Sequence, residues 1–282
     1  MRLASFEVDG QGSYGIVTDD GIIDLGKRLN GPILDLRTLL EHGVEHAAEH
    51  AGDPPDLPLD AVAWLPVVPN PSQIYCVGLN YRAHADEVAR TVGERPTVFI
   101  RVAASQVGHR RAIVRPRVSE QLDYEGELAL VIGRRGRHIA STDVGRHLAG
   151  YSLYNDASVR DWQRHSAQYT AGKNFPATGG FGPWLVTSDE IADPAALSIT
   201  TLVNGEVLQH APLADLIFPI PEIVAYVSSF TELLPGDVIA TGTPAGVGAM
   251  REPPRWLVPG EEVEVRVEGI GTLVNRVADE AR

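Results

Sequence analysis

Short apolar segments bounded by turn residues recur along this chain, and only a few stretches switch to the helical period. Residues 3–6, 14–18 and 21–24 read as short strands parted by the turn compositions Asp9-Gly10-Gln11-Gly12 and Asp19-Asp20-Gly21, which predicts an opening antiparallel meander. Over residues 33–51 the apolar spacing becomes helical, and Gly52-Asp53-Pro54-Pro55 ends it. Residues 58–71 are proline-rich and extended, with Trp64, Val67 and Val68 as anchors. They predict a link between a small N-terminal β-rich module, residues 1–70, and a main domain, residues 71–282.

In the main domain, residues 74–77 read as a buried strand, 82–92 as a helix, and 97–101 and 112–114 as strands. The clearest strand is 127–132. A helical turn at 143–147 precedes another strand at 148–155, followed by a longer polar, glycine-rich stretch. Strands at 184–187, 198–203 and 207–209 follow, the last two joined by a hairpin at Asn204-Gly205. Residues 222–230 form an amphipathic helix, and 237–241 and 263–267 are strands, with a final one introduced by Gly269-Ile270-Gly271. Many strands and few helices, without regular βα alternation, predict an α+β or mostly β architecture rather than a Rossmann fold or a TIM barrel.

Charge narrows the partners. With 24 basic against 37 acidic residues and a net charge of -13, a general nucleic-acid or anionic-membrane surface is disfavoured, because phosphate rewards positive charge. Small molecules are the expected partners. The first residues lack a long apolar segment, and no later stretch approaches about 18 consecutive apolar residues. The expectation is therefore no signal peptide, no membrane span and a cytoplasmic location. The single cysteine, Cys76, excludes an intramolecular disulfide and a cysteine-rich zinc site, and its apolar neighbours predict a buried structural thiol. Arginine supplies nearly all the positive charge, the only lysines being Lys27 and Lys173, which draws attention to Lys173 in its Gly172-Lys173-Asn174 setting.

The segment Asp123-Tyr124-Glu125-Gly126-Glu127 runs directly into the apolar Leu128-Ala129-Leu130-Val131-Ile132. Strand geometry puts Glu125 and Glu127 on one side, where two carboxylates raise each other's pKa unless a cation neutralises them. Asp156, after another apolar segment, can add a third, and three hard oxygen ligands suit Mg²⁺ or Mn²⁺. A Glu-x-Glu pair on the wet face of an antiparallel strand is the plainer reading. His84 and Glu87 stand at i and i+3 on one helix face, so Glu87 can orient the imidazole for proton transfer, or the two form an exposed ion pair. If Asp156 heads a helix, Arg160 and Gln163 fall on its side, and Arg160 either holds a substrate carboxylate or is a surface arginine of a solvated helix. Lys173 reads as a loop lysine that binds an anionic oxygen or is simply solvated. Thr241-Gly242-Thr243-Pro244-Ala245-Gly246-Val247-Gly248 can present backbone N–H and hydroxyl donors to a ligand, although it lacks the ending of a nucleotide P-loop. His109, His138, His147, His165 and His210 have no metal-ligand spacing.

Together these segments resemble the fumarylacetoacetate hydrolase family. The resemblance rests on Val77-Gly78-Leu79-Asn80-Tyr81 with His84 and Glu87, on Asp123-Tyr124-Glu125-Gly126-Glu127-Leu128, and on Asn155-Asp156 with Arg160, Asp161 and Gln163. Further matches are Gly172-Lys173, Phe181-Gly182-Pro183-Trp184, Val203-Asn204-Gly205-Glu206, Pro235-Gly236-Asp237-Val238, Thr241-Gly242-Thr243-Pro244 and Gly269-Ile270-Gly271, in family order over residues 74–277. It implies a mixed β-sheet roll, a homodimer, and one Mg²⁺ or Mn²⁺ per chain held by Glu125, Glu127 and Asp156. His84, Glu87 and Lys173 become the candidate catalytic residues, and Tyr81, Arg101, Arg160, Gln163 and Thr243 the candidate substrate contacts. Two departures bear on substrate fit: Phe99-Ile100-Arg101-Val102 replaces a common Phe-Leu-Lys-Pro, and Tyr169 stands where tryptophan is frequent.

The expected chemistry is metal-assisted hydrolysis of a C–C bond in a 2,4-dioxo acid of the acylpyruvate or fumarylpyruvate type, as in aromatic catabolism. A metal can stabilise the enolate released, while the His84–Glu87 dyad activates water. Decarboxylation of an oxaloacetate-like acid and hydroxymuconate-type isomerisation use the same site and stay open. So does a non-catalytic 2-oxo acid binding protein.

Overall fold

The computed structural model describes residues 1–29 and 31–281. Strands β1 (Arg2–Val8), β2 (Gln11–Val17) and β3 (Ile22–Asp24) lead into the short helices α1 (Leu25–Arg28), α2 (Leu36–His42) and α3 (Glu45–Ala48). Next come β4 (Ala63–Trp64), β5 (Ile74–Gly78), helix α4 (Arg82–Glu87), β6 (Thr97–Arg101), β7 (Gln106–Val107), β8 (Ile113–Arg115) and β9 (Leu122–Asp123). The middle of the chain forms β10 (Gly126–Ile132), β11 (Leu148–Asp156), β12 (Ser158–Val159), α5 (Arg160–Gln163), α6 (Thr170–Lys173) and β13 (Gly179–Thr187). It closes with β14 (Ser198–Val203), β15 (Glu206–Pro212), α7 (Ile220–Phe230), β16 (Val238–Ala240), β17 (Glu262–Val267) and β18 (Gly271–Asp279).

An eleven-stranded mixed sheet dominates, in the order β3-β2-β1-β13-β11-β10-β16-β5-β6, with β4 on β1 and β7 on β13. A five-stranded sheet, β15-β14-β17-β18-β8, packs against it. Every residue of β10 and β11 is buried, as expected of central strands covered on both faces. Period-two geometry divides β10 between two cores. Leu128, Leu130 and Ile132 pack with Ile223, Val224 and Val227 of α7, while Ala129 and Val131 pack with Leu36, Leu39 and Leu40 of α2.

This is the mixed α+β architecture that the strand-rich pattern predicts. The first strands are continuous with the rest: β1 pairs antiparallel with β13, Arg2 opposite Val186, and Leu3, Leu25 and Leu36 share a core with Ile74, Ala129 and Phe181. Among the described residues no helix is long and apolar enough to cross a membrane.

Three local expectations need correction. The helix expected over residues 33–51 is two pieces, because Gly43 at φ 115° leaves helical space between α2 and α3. The helix expected over 82–92 stops at Glu87, with Ala89 left-handed at φ 51°. The glycine-rich stretch hides the start of β13. Glycine serves there because a Cβ on Gly180 would lie 2.5 Å from Asn275 Oδ1, so the strand lacks the side chains that mark one in sequence.

Candidate active site

The antiparallel register places the start of β10 beside the end of β11: Gly126 faces Asn155, and Asp156 N–H donates to Glu125 O at 2.8 Å. Alternation then puts Glu125 and Glu127 on the face of Ala129, and Asp156 on the matching face of Tyr154. The three carboxylates converge, each offering an oxygen within 4.8 Å of the others, and all three are buried. Asp156 ends a strand instead of heading a helix. Arg160 reaches the site because the chain pairs β12 with β9 before turning into α5.

Four buried acids and three buried bases meet here. Lys173 Nζ lies 2.7 Å from Glu125 Oε2 and 2.5 Å from Asp156 Oδ2. Arg160 donates through Nε to Asp123 at 2.8 Å and lies 2.6 Å from Glu125 through Nη1, while Arg101 takes Asp156 Oδ1. Burial alone would raise the Glu125 pKa, but Lys173 and Arg160 outweigh it and hold the group below the ordinary carboxylate range. Glu127 is left over. Among the described residues its side chain has one hydrogen bond, from Gly242 N–H at 2.8 Å, and burial, then Asp156 and Glu125, push its pKa well above the ordinary value. One buried carboxylate without a basic partner, on a face shared with two others, is a donor set that fits a divalent cation.

The loop after β16 spends its backbone donors on the protein's own acids. Gly242 N–H serves Glu127, Gly246 N–H serves Glu87 Oε1 at 2.9 Å, and Gly248 and Ala249 N–H serve Asp123. Gly246 is needed for this: it adopts φ 104°, and a Cβ there would lie 2.1 Å from Leu208 O. The Thr243 hydroxyl is committed too, donating to Gly126 O at 3.0 Å and accepting from Gln209 Nε2 at 2.8 Å.

A cavity of about 430 Å³ opens over the carboxylates. Glu125, Glu127, Lys173, Arg160, His84, Gln163 and Thr243 are among the residues that line it. His84 Nδ1 lies 2.9 Å from Glu87 Oε2, which leaves Nε2 as the imidazole's free nitrogen. Glu87 is fixed in turn by Gly246. Lys173 is not a loop lysine but ends α6, its ammonium buried among carboxylates.

Two sequence candidates lie elsewhere. Arg101 is fully buried, donating to Asp156 at 2.6 Å, Thr178 at 2.7 Å and the Ala157 carbonyl at 3.1 Å, so it supports a carboxylate and faces no substrate. Tyr81 packs into the apolar core with Leu216 and does not line the cavity. Sequence reasoning gave Asp123 no role, yet it holds both Arg160 and the 248–249 backbone. Its place in the acidic head was the available signal.

Buried carboxylates under an open cavity, beside an oriented imidazole, define an enzyme site. The chain belongs to the fumarylacetoacetate hydrolase family: residues 73–278 match the fumarylacetoacetate (FAA) hydrolase C-terminal family. It is 43% identical over 225 residues to the human protein named oxaloacetate tautomerase FAHD2A, mitochondrial, covering 79% of this chain and 72% of that one. Among solved structures, maleylpyruvate hydrolase from Sphingobium sp. SYK-6, in complex with manganese (II) ion and pyruvate, superposes with a TM-score of 0.82 at 28% identity, over 100% of both chains. The 5-carboxymethyl-2-hydroxymuconate delta-isomerase from Mycobacterium smegmatis gives 0.79 at 30%, over 99% of this chain and 100% of that one.

Proposed function

We propose that this chain moves a proton within a 2-oxo acid, interconverting keto and enol forms of a substrate of the oxaloacetate kind. The observation that carries this reading is the His84–Glu87 pair, 2.9 Å apart, with His84 lining the same cavity as Glu125 and Glu127. Among the described residues His84 is the only imidazole lining that cavity. A shuttle needs one such group: His84 Nε2 takes a proton from the carbon next to the keto group, the C–H electron pair becomes the new C=C bond, and the same nitrogen returns the proton to oxygen. Glu87 holds the ring and stabilises its cationic form while the proton is on it. Glu125, Glu127 and Asp156 would hold one divalent cation per chain, Mg²⁺ or Mn²⁺, which would supply Lewis-acid stabilisation of negative charge on an oxygen. Among the described residues Arg160 Nη2 is buried without a partner, which leaves it for a substrate carboxylate. The similarity to oxaloacetate tautomerases supports the same reading.

Hydrolysis of an acylpyruvate is the second reading, with His84 drawing the proton from water. It is favoured by the cavity, whose 430 Å³ falls in the range for ligands larger than a four-carbon acid, and by the similarity to maleylpyruvate hydrolase. The test is decay of the oxaloacetate enol's ultraviolet absorbance above the buffer rate, run beside pyruvate release from acetylpyruvate and fumarylpyruvate, with metal-stripped and reloaded protein. Enol decay that needs Mg²⁺ or Mn²⁺ and is lost in His84→Ala supports tautomerisation. Pyruvate release without enol decay replaces it with hydrolysis, loss of oxaloacetate itself would mean decarboxylation, and no turnover of any substrate refutes both readings.

A further inference from the structure

We propose that Gln209, from the second sheet, is a positioning residue for the cation site: it fixes the two peptide units that join Glu125 to Glu127. The proposal rests on the reading that Glu125, Glu127 and Asp156 hold a divalent cation. It begins with the edge of β10. Strand β16 pairs with β10 only over residues 129–131, and Thr241 N–H extends the ladder to Leu128 O. Gly126 lies further along the same edge, buried, beyond the last residue that this ladder reaches. Buried backbone groups need partners, and here two side chains supply them.

Gly126 N–H donates to Gln209 Oε1 at 3.0 Å, Gln209 Nε2 donates to Thr243 Oγ1 at 2.8 Å, and Thr243 Oγ1 donates to Gly126 O at 3.0 Å. The three bonds close a ring whose direction is fixed. A peptide N–H can only donate, and the Pro244 carbonyl, 2.8 Å from Gln209 Nε2, can only accept, so the Gln209 amide has one orientation. The Gly126 N–H belongs to the peptide that follows Glu125, and its C=O to the peptide that precedes Glu127. Gln209 therefore holds the first directly and the second through Thr243. Turning either peptide would swing one carboxylate away from the other. Gln209 is itself buried and is not among the residues that line the cavity, so it acts through the backbone that carries the carboxylates.

An irregularity in β15 delivers the side chain to this place. Thr201 of β14 faces Gln209 but Leu202 faces Val207, which leaves Leu208 as an extra residue, a β-bulge. Leu208 and Gln209 are buried side by side between exposed Val207 and exposed His210. A bulge bends its strand and re-aims the side chains, and it is a device found beside active sites. Here the Leu208 side chain shares a core with Tyr124, the residue before Glu125, and its carbonyl accepts from Arg251 Nη2 at 2.9 Å. Thr201, opposite Gln209, closes on the same glycine, where a Cβ on Gly126 would collide with its Oγ1. The five-stranded sheet thus meets the main sheet at the residue between two candidate ligands.

The test is calorimetric titration of EDTA-stripped protein with Mn²⁺, at a temperature well below the melting point of every variant. Gln209→Met keeps the length of the side chain and loses the amide. It should weaken Mn²⁺ binding by about 10-fold to 100-fold, the usual effect of losing a group that orients metal ligands. Gln209→Asn keeps the amide but shortens its reach, so a smaller loss is expected, and this variant carries the test if Gln209→Met does not fold. Ile199→Ala removes core packing from the strand of Thr201 and serves as the stability control. It should lower the melting temperature without moving the Mn²⁺ affinity. Parent affinity in the Gln209 variants, or an equal loss in Ile199→Ala, overturns the positioning role and leaves the cation reading standing. A parent protein that binds no Mn²⁺ overturns that reading and the role with it.

Discussion

Arg101 Nη1 donates to Asp156 Oδ1 at 2.6 Å, and neither side chain reaches solvent. Removing one member of such a pair strands the other charge, which costs about 3–5 kcal/mol. Arg101→Met should therefore lower the melting temperature and weaken Mg²⁺ or Mn²⁺ binding together, read by thermal unfolding and by calorimetric titration. A substrate-contact role would leave both untouched and raise only KM.

Among the described residues Glu127 is the carboxylate of the cluster with no basic partner, and the Gly242 N–H that it accepts can be accepted equally by an amide oxygen. Its folded-state pKa lies above the ordinary 4.5, so between those values the folded state binds more protons than the unfolded one. Stability of the cation-free protein accordingly falls as pH rises past 4.5. Glu127→Gln should remove that loss, giving a cation-free protein at least as stable as the parent at neutral pH. The same variant should lose the rise in melting temperature that Mg²⁺ or Mn²⁺ gives the parent. Differential scanning fluorimetry with EDTA and with each ion reads both effects, and a retained ion-dependent rise would remove Glu127 from the ligand set.

His84→Ala should lower kcat by about 100-fold to 10,000-fold, the usual worth of a positioned acid–base group. Glu87→Gln keeps a hydrogen-bond acceptor but loses the charge that favours the imidazolium, so a smaller loss is expected. Steady-state assays on the preferred substrate separate the two, and a His84→Ala enzyme at the parent rate would dismiss the shuttle.

His109 is a separate matter of stability. Its Nδ1 accepts from Val274 N–H at 3.0 Å, and burial, then Arg110, lower its pKa from 6.5 to about 4. The unfolded chain takes up the proton first, so stability is full above 6.5, falls as pH drops toward 4, and levels off below. The whole effect is about 3 kcal/mol at the conversion of 1.36 kcal/mol per unit. His109→Asn, whose Oδ1 can replace Nδ1 as acceptor, should flatten this part of the profile in urea titrations at successive pH values.

Much of this was legible because it is local. Alternation in Glu125-Gly126-Glu127 and the apolar run behind it locate both carboxylates and the central strand, and i, i+3 spacing locates the His84–Glu87 pair. What was not legible depends on partners distant in sequence. Arg101 looks like a substrate contact until β11 brings Asp156 across 55 residues to meet it. Lys173 looks like a loop residue because α6 is a single turn, too short for a period to show. The donors of residues 242–249 look free for a ligand, and only the tertiary structure shows Glu127, Glu87 and Asp123 taking them.

The ladder between β1 and β13 has a consequence for how the protein must be handled. Without the opening strand, the 185–186 portion of β13 becomes a sheet edge, with Leu185 and Val186 presenting unpaired backbone groups beside apolar side chains. Such an edge recruits another strand, commonly from a second molecule. A shortened version that starts at the family match would keep every candidate site residue and still be expected to self-associate, so aggregation of such a fragment says nothing against its chemistry.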